Sequence, residues 1–266
     1  MAATTVTTVP RRWAAARWAN RFLLTPALCV VFPARCFVCA AELKRWQQQG
    51  ACLDCWAAMR PLRPPLCSGC GLALGAGSDL LGPAADRCAA CLVSPPALRA
   101  VRAAVCYDEI ARRFVLRIKV GRRRELLPPL GARLALAVRT SGIGDGCTVV
   151  APVPSHPWSD LRRGFSPSRD MARAVARATG IRFDPRLLIR RAAPTRATKR
   201  RPAAGRILAA GRAFRVGRGA PGGRVLLVDD VMTTGASAEA CARLLRAAGT
   251  IETRLAVWAR TPVPGS

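Results

Sequence analysis

Apolar positions along residues 100–250 alternate between two periodicities. Val225-Leu-Leu-Val228 is apolar at every position, as suits a parallel strand covered on both faces. From Ala238 to Ala248 the spacing becomes helical, with Cys241, Leu244, Leu245 and Ala248 on one face and Gly249 placed to end the helix. Upstream, Val101–Tyr107 reads as a strand. Glu109–Val120 reads as a helix with Ile110, Phe114 and Ile118 on one face, and Leu126–Arg139 as a second helix. After a turn over Gly142–Gly146, Thr148–Pro154 is another apolar strand, and a helix is expected over Ser168–Thr179. Strands alternating with helices predict an α/β fold with a parallel sheet. Leu92–Ala97, with two adjacent prolines, reads as a linker.

The residues just beyond the strand at Val225 carry the chemistry. Asp229 and Asp230 stand at its carboxyl end, where ligands of open α/β sheets bind. Two carboxylates there can accept hydrogen bonds from vicinal sugar hydroxyls. Thr233, Thr234, Gly235, Ala236 and Ser237 lead into a helix whose first N–H groups and dipole favour an anion. Gly235 permits close backbone approach. Together they point to a ligand joining a sugar to a phosphate; the competing reading is a plain strand–turn–helix with a solvated acid pair.

A second strand–loop–helix, Pro154 and Ser155 running on to Phe165, could set backbone donors and Arg162 or Arg163 near a pyrophosphate. His156, the chain's one histidine, reads as an ordinary loop residue. Lys119 and Arg122–Arg124 cluster near the end of the first helix. They suit either a solvated, dipole-compatible terminus or contact with phosphate or nucleic acid. Leu187–Phe214, rich in arginine and interrupted by Ala-Pro, Arg-Pro and Ala-Gly steps, reads as a mobile segment. It is open whether this segment acts as a lid, a solvated basic loop or a track for a nucleic-acid backbone.

Eight of the 12 cysteines form four Cys-x-x-Cys pairs: Cys36/Cys39, Cys52/Cys55, Cys67/Cys70 and Cys88/Cys91. Two pairs complete a closed tetrahedral zinc site of structural type. The simplest pairing is sequential, Cys36, Cys39, Cys52 and Cys55 on one zinc and Cys67, Cys70, Cys88 and Cys91 on the other; spacing also permits an interleaved one. A disulfide scaffold would need an oxidising compartment, and no secretory signal is visible. Cys29, Cys106, Cys147 and Cys241 fall outside the pattern and read as small buried residues.

The chain has 266 residues and is 51% apolar, enough for a sizeable core. Its net charge of +28 is almost entirely arginine, because the lysines are only Lys44, Lys119 and Lys199. Such a charge favours polyanions but implies no sequence-specific recognition. A general bias toward arginine and alanine would give the same composition. Arg11–Phe32, interrupted by Pro26, is too short in apolar run to span a bilayer and reads as an amphipathic helix packing on the next domain.

Val-Asp-Asp-Val-Met-Thr-Thr-Gly-Ala-Ser237 resembles the phosphoribosyl pyrophosphate (PRPP) signature of type I phosphoribosyltransferases. The resemblance implies a parallel-sheet domain of that type, with Asp229 and Asp230 on the ribose and Thr233–Ser237 on the 5′-phosphate. Lys119, Pro154, Ser155, Arg162 and Arg163 become pyrophosphate or lid candidates. With the paired cysteines, Ala151-Pro-Val-Pro154, Arg163-Gly-Phe165 and Ala213-Phe214, the chain is similar to the ComF family over about residues 30–262. This implies an N-terminal segment (1–33), a double zinc ribbon (34–95) and a phosphoribosyltransferase-like domain (99–264). It further implies a cytoplasmic protein on the receiving side of DNA uptake that binds PRPP, with Mg²⁺, and single-stranded DNA; read as a binding module, its basic surface and zinc ribbons would engage DNA or a competence ATPase. Ser166 stands where the family has Asn, and Thr198 and Ala209 stand at a Gln and a second Asn. The expectation is therefore a PRPP cradle whose acceptor chemistry is unassigned, in either a transferase or a binding protein that retains the cradle.

Overall fold

A computed structural model describes residues 35–43, 50–62, 64–74, 86–191, 213–217 and 222–262. The segment 11–32, with Cys29, lies outside the described residues, as do Thr198 and Ala209. Two short helices belong to the cysteine-rich region, α1 (Leu53–Ala57) and α2 (Ala89–Val93). Then come β1 (Ala100–Cys106), α3 (Glu109–Lys119), a 3₁₀ turn (Arg124–Leu126), α4 (Leu127–Ser141) and β2 (Cys147–Pro152). Beyond them lie α5 (Pro157–Arg163), α6 (Pro167–Thr179), β3 (Arg182–Phe183), β4 (Leu188–Arg190) and β5 (Phe214–Val216). The last elements are β6 (Arg224–Met232), α7 (Ala236–Ala247) and β7 (Glu252–Arg260).

Five strands form one sheet in the order β1-β7-β6-β2-β3, with every pairing parallel. The adjacent interior strands β6 and β7 are apolar on both faces because both faces are covered. Leu226, Val228 and Trp258 point into a core shared with α3, α4 and α6. Val225, Leu227 and Val257 point into a second core, with Cys241 and Leu245 of α7. The expected α/β parallel sheet, preceded by a cysteine-rich region of two four-cysteine clusters, is therefore what the chain forms.

The cysteine-rich region is packed into the fold. Trp56 of α1 meets Phe114 of α3 at 4.7 Å between ring centroids, and Phe114 reaches Trp258 of β7 at 6.3 Å. Arg133 of α4 donates to the Trp56 carbonyl at 3.0 Å. This apolar seam joins the first cluster to one face of the sheet.

Local chemistry sets the helix ends. Asp108 caps α3 through the Ala111 N–H at 2.9 Å, while Arg117 and Lys119 lie at the helix's negative end. Between α4 and α6 the backbones approach closely at Gly131, where a Cβ would lie 2.8 Å from that of Ala174.

Several sequence boundaries move. β6 runs on through Met232, so both acids are strand residues, and α7 begins at Ala236. Ala248 is exposed beyond α7. The loop after β2 contains the helix α5. Leu92 and Val93 belong to α2, and the rest of the expected linker is not loose. Glu239, buried on α7, accepts the Ala97 N–H at 2.9 Å, and Arg246 donates to the Ala97 carbonyl at 3.0 Å. The expected mobile segment Leu187–Phe214 begins and ends in strands, β4 pairing antiparallel with β5, while residues 192–212 lie outside the described ones.

Candidate functional site

At the carboxyl ends of β6 and β2, a cleft of about 280 Å³ brings together Asp229, Asp230 and Ser237 from the β6 side with Pro154, Ser155, His156 and Arg163 from the β2 side. Lys119, Ser168 and Arg190 also line it. Asp230 is held on both oxygens: Oδ1 accepts the Val231 N–H at 2.7 Å, and Oδ2 lies 2.6 Å from Lys119 Nζ. Asp229 Oδ1 accepts from Ser168 Oγ at 2.7 Å and from the Asp230 N–H at 2.9 Å.

These contacts set the charges. Burial and the adjoining Asp230 carboxylate push Asp229 up to about 7, against the Ser168 bond and the charge of Lys119. Burial acts to lower Lys119, but the attraction of Asp230 and Asp229 outweighs it and raises the ammonium above its ordinary value. Two adjacent acids with one lysine form a site that gains from an additional cation or from hydroxyl donors.

The loop after β6 turns at Gly235, which has φ +74° and caps the N-terminus of α7. A side chain there would be strained, and its Cβ would press on the terminal methyl of Met232. Thr233 and Thr234 are exposed on the loop, Gly235 and Ala236 are half-buried in it, and Ser237 faces the cleft. This geometry offers helix-terminal donors and hydroxyls to an anion.

On the β2 side, Asp160 binds Arg163 at 2.7 Å and accepts a hydrogen bond from Ser155 Oγ. Ser155 Oγ also lies 3.1 Å from Ser166 Oγ. Ser166 thus meets another loop hydroxyl. Arg163 Nε is buried without a partner. Arg162 is exposed and does not line the cleft. His156 accepts the Trp158 N–H through Nδ1 at 3.2 Å, which gives it a capping role on α5. An adjoining cleft of about 430 Å³ shares Pro154, Ser155 and Arg190 with the first and adds Arg169, Arg186 and Ile189.

The sequence reading does not single out Ser168, and it places Arg190 only within the arginine-rich segment. Ser168 sits in an ordinary helix pattern, and its contact with Asp229 spans 61 positions. Arg190 is one of many arginines, but it lies 5.0 Å over the Phe214 ring and reaches the Pro154 carbonyl at 3.4 Å. Of the basic cluster, Lys119 meets the acid pair. Arg123 lies 4.4 Å over Phe37, and Arg124 pairs with Asp170 at 3.4 Å.

The eight paired cysteines form two groups in sequential order, Cys36/Cys39/Cys52/Cys55 and Cys67/Cys70/Cys88/Cys91, with the ligand atoms of each within 4.8 Å of one another. The halves correspond. Cys36 N–H donates to Ala41 O and Cys67 N–H to Leu72 O, both at 2.7 Å, and each knuckle then turns through positive φ at Ala40 or Gly71. Cys52 and Cys88 sit at the N-caps of α1 and α2. Cys36 Sγ accepts N–H groups from Val38, Cys39 and Cys52. Burial acts to raise its thiol, but those donors bring it down to about 6. Burial pushes Cys55 and Cys91 up. Four convergent thiols in each group, with backbone donors aimed at sulfur, fit a tetrahedral metal site of structural type. Among the remaining cysteines Cys241 is fully buried, while Cys106 and Cys147 are half-buried.

A family described as "Double zinc ribbon domain" matches residues 27–93. "DNA utilization protein YhgH" of Salmonella typhi is 30% identical over 219 residues, which cover 80% of this chain and 91% of that protein. The protein of the same name from Escherichia coli O6:H1 is 29% identical over 229 residues with the same coverage. Among solved structures, the allosteric regulatory enzyme of purine biosynthesis is 26% identical, with a TM-score of 0.34. That match covers 48% of this chain and 24% of the enzyme, so the chain spans about a quarter of its length. Adenine phosphoribosyltransferase from Leishmania tarentolae is 18% identical over 52% of this chain and 71% of that one, with a TM-score of 0.31. Among the described residues, no helix is long and apolar enough to cross a membrane.

Proposed function

The chain belongs to the ComF-like family of the DNA utilization protein YhgH, and from that membership and the cleft we propose that it binds PRPP with Mg²⁺. The observation that carries this reading is the acid pair Asp229/Asp230 at the end of β6, sharing one cleft with Ser237, Lys119 and Arg163. The acids accept the ribose hydroxyls, and Thr233, Thr234, Gly235, Ala236 and Ser237 hold the 5′-phosphate. Pro154, Ser155, Arg163 and Lys119 meet the pyrophosphate, and Arg162, exposed outside the cleft, takes no part. Mg²⁺ binds mainly to ligand oxygens and adds positive charge beside the acids. The two cysteine groups hold one structural zinc each. We assign 1–33 to an N-terminal segment, 34–95 to the double zinc ribbon and 99–264 to the PRPP domain.

In a transfer reaction the acceptor, seated in the adjoining cleft, would form a bond to ribose C1. The C1–oxygen bond would break, its electron pair leaving with pyrophosphate. Lys119 and Arg163 would stabilise that charge, a task done by position and electrostatics. Calorimetry with PRPP and Mg²⁺ tests the binding reading: micromolar binding to the wild type, and none to Asp229→Asn/Asp230→Asn, is the expected outcome. No binding to the metal-loaded wild type would sink it.

A second reading, a DNA- or partner-binding competence protein that keeps the cradle without turnover, is favoured by Ser166. Its hydroxyl is engaged with Ser155 where the family presents an amide. In this reading the +28 chain meets single-stranded DNA and a competence ATPase in the cytoplasm through charge. Single-stranded DNA affinity should fall steeply with salt. Pyrophosphate release from PRPP with candidate acceptors separates the two readings.

A further inference from the structure

Arg260 ends β7, between β1 and β6, in register with Cys106 on one side and Met232 on the other. It is 7% exposed. Its Nε donates to the Cys70 carbonyl at 3.1 Å, and its Nη1 donates to the carbonyls of Met232 and Thr261 at 3.1 Å each and to that of Thr233. Among the described residues it pairs with no carboxylate. A buried guanidinium costs stability unless its donors are satisfied, so these carbonyls must stay where they are.

Apart from Thr261, the next residue along the chain, the acceptors belong to two different structures. Met232 ends β6 and Thr233 begins the loop proposed to hold the 5′-phosphate. Cys70 is a member of the second cysteine group. That group is also fixed to the sheet nearby: the Val101 N–H donates to Ser68 O at 2.9 Å, and Gly71 packs where a Cβ would lie 3.0 Å from Val101 Cγ1. The first cysteine group reaches the sheet by other contacts: Trp56 packs on Phe114, its carbonyl accepts from Arg133, and the Cys106 N–H donates to the Arg60 carbonyl at 2.8 Å, none of them to the loop after β6. The two groups therefore differ in what their order can influence.

We propose that Arg260 is a positioning residue for the phosphate loop, and that through it the second cysteine group, and not the first, supports the ligand site. The guanidinium holds Met232 and Thr233 carbonyl-inward and fixes the direction of the next N–H groups along the loop. It draws its own orientation from the Cys70 carbonyl, which is set by the knuckle. Loss of order at the second group releases Nε, and the loop loosens. This rests on the PRPP reading for its ligand, but its structural claim does not.

The test compares full-length, metal-loaded wild type with Arg260→Met and Arg260→Lys, and with Arg133→Met as a control on the first-group side. Amide hydrogen exchange over residues 231–236 is read without ligand, and PRPP affinity is read by calorimetry. We expect exchange in Arg260→Met to rise tenfold or more and PRPP affinity to fall tenfold or more, with two metals retained per chain. Arg260→Lys, which keeps the charge but cannot span the carbonyls, falls between, and Arg133→Met leaves both readouts at wild-type values. Should Arg260→Met fail to fold, the lysine variant decides alone. Loop exchange at the wild-type rate in the folded variant overturns the inference. Failure of the wild type to bind PRPP overturns only the ligand assignment, because the exchange comparison still stands.

Discussion

Lys119 Nζ lies 2.6 Å from Asp230 Oδ2, bringing the last residue of α3 to the acid pair 111 positions away. The lysine is partly exposed, so it can leave the acid when a more anionic group arrives. Replacing Lys119 by Met should weaken PRPP binding about tenfold, a loss of about 1.4 kcal/mol. Calorimetry at constant ionic strength checks this; affinity unchanged within twofold would remove Lys119 from the site.

Asp229 titrates at about 7 against an ordinary value of 3.8. Between those values the folded chain holds a proton that the unfolded chain has released, so stability falls as pH rises through this window. Asp229→Asn should remove that loss and stabilise the empty protein at pH 8 by roughly 1–3 kcal/mol, while abolishing PRPP binding. Thermal melts of both proteins at pH 5 and pH 8 should differ at the higher pH. Equal melting temperatures at pH 8 would contradict the raised acid.

Gly235→Ala places a side chain at φ +74° against Met232 Cε. The variant should lose about 1–2 kcal/mol of stability and most of its PRPP affinity, since an L residue is strained at this φ and the loop relaxes away from it, while the flexible Met232 side chain can move aside. Urea unfolding and calorimetry measure the two losses separately.

Each cysteine group should hold one zinc, giving two per chain by atomic emission. Cys36→Ser removes the sulfur that accepts three backbone N–H groups and should leave about one zinc per chain. Chelation should also expose Trp56 and shift tryptophan emission to the red. Retention of two zincs by the variant would refute the assignment of Cys36.

Phe114 bridges Trp56 and Trp258 at the core of the seam. Phe114→Ala should cost about 3–5 kcal/mol and loosen the cysteine-rich region from the sheet. Denaturant unfolding followed by tryptophan fluorescence gives both.

Features whose physics is local were legible in the order of residues alone. An uninterrupted apolar run such as Val225–Val228 must be covered on both faces, and four Cys-x-x-Cys pairs can be read from spacing. The acids and the small-residue loop are consecutive in the chain, so that part of the candidate site was legible as well. Convergence from a distance was settled only by packing in three dimensions. It brought Lys119 to Asp230, Ser168 to Asp229, Glu239 to Ala97 and Arg260 to Cys70. It also made strands of the two ends of the arginine-rich segment, where β4 and β5 pair only because the fold returns one beside the other. None of these partners carries a local signal, since one lysine, serine, glutamate or arginine resembles any other until burial leaves it a single place to satisfy its charge or its hydrogen bonds.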